Sequence, residues 1–220
     1  MNKKISISII PVIMVIITAI IVAIVAMRVR TDETSKLSKV YDKMVTEQNY
    51  VFTRYDFEEQ NKLITYRSAD KTLIDVYTDG EHISTLIVEG DTYLISHENK
   101  EYYVYPNNNL SKERLTENLK DIINIEYTTG KEKIYGKTYK YEEYEGVSVF
   151  LFSGEEGIDI YSAKTRFYFN GDKLVYLKTI YDVVDEETGE RTQAEELQTV
   201  KVEYKLDNRV FEIPSDYAEN

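Results

Sequence analysis

The chain has 220 residues, no cysteine, and 39 acidic side chains against 27 lysines and arginines. Every acidic residue lies beyond residue 30, where 23 basic residues face them, a net of −16 that repels phosphate backbones and argues against a nucleic-acid partner. The lack of cysteine excludes a disulfide frame and any thiolate metal site, and suits an exported domain.

The first element is apolar. Ile5 to Ala26 reads ISISIIPVIMVIITAIIVAIVA, without a charge. At about 1.5 Å per residue this stretch matches a hydrocarbon core of roughly 30 Å, and predicts one transmembrane helix anchoring residues 1–30. A cleaved signal peptide is the competing reading, but such peptides have cores of about 7–15 residues and a small-x-small site that AIVAMRV lacks. Lys3 and Lys4 precede the span and Arg28 and Arg30 follow it, a slight bias toward an inside N-terminus. Residues 31–220 are then a single β-rich domain outside the cytoplasm, held at the cell membrane by a single-pass anchor. Its negative charge repels anionic headgroups, so it stands off the surface on its tether.

In SKLSKVYDKMVTEQ, Leu37, Val40, Tyr41, Met44 and Val45 recur at helical spacing and predict a first helix that packs on its own domain. From Tyr50 the period becomes two, with turns suggested at Ala69-Asp70, Asp79-Gly80, Glu89-Gly90 and Asn99-Lys100. Asp-Gly is the strongest of these, because a type I′ turn needs positive φ at both central residues. A second helix follows, with Leu115, Leu119, Ile122 and Ile123 on one face, Ser111 as N-cap and Leu110 stapled to Leu115. Asn109-Leu110-Ser111 also matches a glycosylation acceptor, though capping explains the same letters.

Strand patterns resume at Ile125, with turns near Gly130, Gly136, Gly146, Asn170-Gly171 and Thr188-Gly189. TVKVEYKL alternates Val200, Val202, Tyr204 and Leu206 inward against Lys201, Glu203 and Lys205 outward. The acidic run DEETGE at 185–190 lacks the spaced ligands of a calcium loop and reads as a hairpin tip. The expected fold is mainly β (α+β). Two helices cannot cover so large a sheet on both sides, so a curled antiparallel sheet or half-open barrel is expected, with both helices on its concave face and the transmembrane helix before it.

His82 and His97 are the only histidines of the chain. Two-residue turns at 79–80, 89–90 and 99–100 place them in one cross-strand row, Tyr77–His82–His97–Tyr102, close enough to share a metal. The row itself supplies only tyrosines beyond them, with Asp75 one step away on the same face, so an aromatic ladder is the favoured reading and His82 and His97 are the metal candidates. In this register Asp75 also opposes Ser84. Mid-strand side chains with no nucleophile elbow make a poor hydrolase triad, however. No phosphate loop, metal-spaced His/Glu motif or kinase set is present; neither catalysis nor a cofactor is expected. The twenty tyrosines suit a half-buried sheet as well as a carbohydrate or peptide surface.

An exported N-terminus, an amphipathic helix, hairpins through YTDGEHISTLIVEGDTYLIS and KEYYVYP, a short helix, FYFNGDKLVYLKTIYD and the closing VFEIPSDY follow one another in this chain. That order resembles the superfamily of outer-membrane lipoprotein carriers and related lipid-binding lipoproteins (LolA-like), over most of residues 36–217. The resemblance implies a half-open antiparallel barrel around an apolar cavity for lipid or lipoprotein acyl chains. It differs here in having no lipidated cysteine and a span that stays, which fits local hand-off or sensing. The other expectation is an envelope sensor or scaffold domain that binds protein partners through its sheet surface.

Overall fold

A computed structural model describes residues 34–107, 114–147, 160–184 and 189–220. The expected span at Ile5–Ala26, the Asn109–Ser111 cap and sequon, and acidic residues 185–188 lie outside them. Among the described residues no helix is long and apolar enough to cross a membrane.

Helix α1 (Lys36–Glu47) leads into six strands: β1 (Asn49–Asp56), β2 (Lys62–Ser68), β3 (Lys71–Thr78), β4 (Glu81–Val88), β5 (Asp91–Ser96) and β6 (Glu101–Tyr105). Helix α2 (Arg114–Ile122) interrupts, before β7 (Tyr127–Ile134), β8 (Lys137–Glu145), β9 (Ile160–Asn170), β10 (Lys173–Val184) and β11 (Arg191–Glu203). A 3-10 turn (Asn208–Phe211) and the short β12 (Ala218–Glu219) close the chain. All twelve strands form one sheet, ordered β12-β6-β5-β4-β3-β2-β1-β11-β10-β9-β8-β7. The antiparallel pair β1–β11 joins the two hairpin series, and β12 lies parallel to β6.

The expected curl into a half-open barrel is therefore corrected: the sheet is open, with β7 at one end and β12 at the other. Closure is the expectation because two helices leave much of a sheet bare. The face away from the helices is instead covered by the sheet's own long side chains and by the C-terminal segment. On one pleat face Leu37, Val40 and Met44 of α1 and Leu119 and Ile122 of α2 bury against Tyr50, Phe52, Phe167, Leu177 and Val200. On the other face, over β3–β6, Phe211 packs on Leu73, Leu86 and Ile95, with Leu206, Val210, Ile213 and Tyr217 around it. Leu206 thus leaves the alternation expected of TVKVEYKL, because β11 ends at Glu203 and the chain crosses to this second cluster.

Over β7–β10 that same second face carries an ionic layer. Glu132 accepts from Arg166 (2.8 Å), Lys178 (2.8 Å) and the Tyr168 hydroxyl (2.6 Å), while Arg166 also pairs with Glu143 (2.5 Å). Beside it Gly130, expected in a turn, sits mid-strand in β7 opposite Tyr141. A Cβ there would overlap the Tyr141 ring, which is held between this backbone, the Arg166 guanidinium (4.7 Å) and Tyr168. Gly130→Ala is accordingly expected to cost about 1–2 kcal/mol through overpacking. Urea denaturation checks this, and the loss should shrink when Tyr141→Ser is added.

Candidate functional site

The hairpins β3–β4 and β4–β5 turn through Asp79-Gly80 and Glu89-Gly90, with φ of 50° and 82°, then 55° and 92°. Both are two-residue turns with positive φ at each centre, as the sequence predicts. Their register pairs Tyr77 with His82 and Asp75 with Ser84. His97, one residue beyond β5, donates its backbone N–H to the His82 carbonyl (3.2 Å). The two histidines therefore stand side by side.

The fourth member of the expected row is corrected. Ser96 pairs with Glu101 and Ile95 with Tyr102, so residues 97–100 form a four-residue loop and Tyr102 does not oppose His97. Within this loop only Lys100 takes positive φ (54°). Asn99-Lys100 lacks the glycine that favours two consecutive positive φ values, and the longer loop needs just one. Tyr217 takes the place expected for Tyr102. The C-terminal strand draws it in: Ala218 N–H bonds the Lys100 carbonyl (2.9 Å), and the Tyr217 hydroxyl lies 2.9 Å from His97 Nδ1.

The rings make a stack. Tyr77 and His82 lie 4.1 Å apart at 14°, His82 and His97 3.7 Å apart at 3°, and Tyr217 meets His97 edge-on at 5.6 Å. Below the imidazoles Ser84 is a buried hub, 2.5 Å from Asp75 Oδ1, 2.6 Å from His97 Nε2 and 3.4 Å from His82 Nε2. Ser84 has one proton and donates it to Asp75. His97 Nε2 must then carry hydrogen and donate to Ser84, leaving Nδ1 of the neutral ring to accept from Tyr217. A directed chain results: Tyr217 to His97 to Ser84 to the Asp75 carboxylate.

Electrostatics follow from this crowding. Burial, then the neighbouring His82, pushes the His97 pKa down, with Asp75 opposing. Burial and the nearby Asp75 carboxylate raise Tyr66 to about 12, and burial and the Asp75 charge raise Tyr77 as well. Of these residues, Asp75, Ser84, Tyr77 and both histidines are legible from turn arithmetic. Tyr66 is a diagonal neighbour of Asp75 across β2–β3. Tyr217 has no local signal, since its placement depends on strand pairing more than a hundred residues away.

An open antiparallel sheet with a polar-hubbed histidine stack is thus the class of domain that fold and site define. No protein-family model matches the chain, and no curated protein matches it significantly. Among solved structures, an uncharacterized conserved protein from Thermus thermophilus aligns over 84% of this chain and 99% of that one. With 11% identity and a TM-score of 0.44, the likeness carries neither fold nor function across.

Proposed function

We propose that the domain is a non-catalytic binding module, outside the cytoplasm, that takes up lipid or lipoprotein acyl chains on the helix side of its sheet. An apolar surface on β3–β6 carries this reading. Ile74, Val76, Ile83, Leu94, Tyr103 and Tyr105 share one pleat face in adjacent rows. Ile83 and Leu94 are each 38% exposed, Tyr103 41% and Tyr105 45%. Single exposed apolar residues are ordinary, but a contiguous group marks a binding surface. A chain laid along it gains about 0.8 kcal/mol per methylene removed from water.

The element order shared with lipoprotein carriers supports the same ligand class. The Ser84 geometry supports a role without catalysis, because its proton is committed to Asp75 and the hydroxyl is buried mid-strand. A second reading is a protein partner added at the β6 edge beyond β12, which pairs with Glu101 and Tyr102 and does not extend along Tyr103–Tyr105.

Native mass spectrometry of the purified full chain should find bound lipid. Ile83→Glu combined with Leu94→Glu should weaken a fluorescent fatty-acid probe at least about tenfold, some 1.4 kcal/mol, with little change in thermal midpoint. No lipid and no probe uptake would end the acyl reading. Co-purification of a protein, lost in Tyr103→Glu, would favour the edge reading instead.

A further inference from the structure

We propose that Asp75, His82 and His97 bind a divalent transition-metal ion of the zinc or copper class. One carboxylate oxygen and two imidazole nitrogens lie within 4.8 Å of one another. His82 Nε2 is 3.5 Å from Asp75 Oδ1. Two nitrogens and one oxygen are the donor set that suits zinc, copper(II) or nickel, whereas calcium and magnesium favour oxygen alone. Three protein donors leave a fourth position for water or for a ligand atom of a partner.

Backbone pairing, rather than flexible reach, positions the donors. Asp75 comes from β3, His82 from β4, and His97 is pinned to His82 by a main-chain hydrogen bond. Each donor side also has outer support. Tyr217 holds His97 at Nδ1, and Ser84 donates to Asp75. Such second partners orient metal-ligating imidazoles and carboxylates. Asp75 is buried while both histidines are partly exposed, so an ion enters from the histidine side.

Geometry also states what must move. In rings that are 3° from parallel and 3.7 Å apart, the nitrogen lone pairs lie in separate planes, and an ion about 2.0–2.1 Å from both nitrogens cannot lie in both planes. One ring must turn. Tyr217 fixes His97, so His82 is the ring that swings out of its stack on Tyr77 and His97. Ser84 Oγ keeps its own proton on Asp75 and gives up its bond to His97 Nε2, whose proton passes to Nδ1 as the neutral ring changes tautomer. Nδ1–H then donates to the Tyr217 hydroxyl oxygen, and Nε2 offers its lone pair to the ion.

The test is calorimetric titration of the full chain with zinc chloride, with copper(II) electron paramagnetic resonance on the same protein. One saturable ion per chain is expected, with coupling to two nitrogens in the copper spectrum. His82→Gln and His97→Gln should each weaken zinc binding by more than about a hundredfold, and Tyr217→Phe by about ten- to a hundredfold. The acidic surface attracts cations without saturation, so dependence on the histidines is the decisive readout. Absence of a saturable site in the wild-type chain overturns the proposal, and so does a copper spectrum without nitrogen coupling. Unchanged affinity in both glutamine variants, with folding verified by circular dichroism, overturns it as well.

Discussion

Glu142→Ala is expected to lower the thermal midpoint by roughly 6–12 °C, the consequence of about 3 kcal/mol in a domain of this size. Glu142 is buried beneath the start of α1, on β8. It accepts from the backbone N–H groups of Lys36 (2.6 Å) and Leu37 (3.1 Å), from the Ser35 hydroxyl (2.8 Å) and from Tyr144 (3.2 Å). Helix α1 has no acidic residue in its own first turn. Glu142 supplies that charge from another element, where the helix dipole and unpaired amides favour an anion. Alanine would leave the buried Leu37 amide and the half-buried Lys36 amide without this acceptor and loosen Leu37, Val40 and Met44 from the core. Glu142→Gln, which keeps an acceptor but removes the charge, should cost about half as much. Exposed Glu145→Ala is the control and should change stability by less than about 0.5 kcal/mol. Hydrogen exchange would locate the effect, with α1 amides losing protection ahead of β1 and β11. Equal loss across the whole sheet would show that Glu142 is not the helix anchor.

The same residues show what is legible from sequence and what is not. Ser35 stands in the sequence only as the polar residue that opens SKLSKVYDKMVTEQ, yet it is the N-cap of α1 and accepts from Ser38 N–H (3.1 Å). Its second partner, Glu142, lies 107 residues away, and no local pattern points to it. The helix stripes are readable because burial of one face imposes the period; Leu37, Val40, Met44, Leu119 and Ile122 are all buried, while Val45 at the stripe's margin is 44% exposed. The turns at 79–80 and 89–90 are readable because positive φ selects residue types. Asn99-Lys100 and Gly130 mislead for the complementary reason. Turn formers mark places where a turn is cheap, and do not state its length or exclude a glycine kept for an overlying ring. Whether the sheet closes is not legible either. That depends on edges, and here β7 bears Lys131, Glu132 and Lys133 while β6 is partly covered by β12. Charged or covered edges disfavour further pairing.

Glu132→Gln is expected to remove a step in stability between about pH 4.5 and pH 2. Burial by itself raises the Glu132 pKa, but hydrogen bonds from Lys178, Tyr168 and Arg166 and the Lys178 charge outweigh it and hold the carboxyl at about 2. The folded-state pKa lies below the unfolded value, so the folded chain favours the ionised form. The stabilisation is complete above about pH 4.5 and is lost as pH falls through 2. Water screens a side chain that is 27% exposed, so the step amounts to about 1–2 kcal/mol. At neutral pH the variant suffers a further penalty. Lys178 is only 9% exposed and its other carboxylate, Glu195, lies 3.3 Å away on a largely exposed side chain. Leaving a buried ammonium with that single exposed partner raises the total loss at pH 7 to about 3 kcal/mol. Lys178→Met in the Glu132→Gln background should recover much of it, because methionine fills the same space without a charge to desolvate. Urea denaturation of the parent chain and both variants from pH 2 to pH 7 separates these effects. A Glu132→Gln curve parallel to the parent's throughout would mean that other carboxylates govern the acid transition.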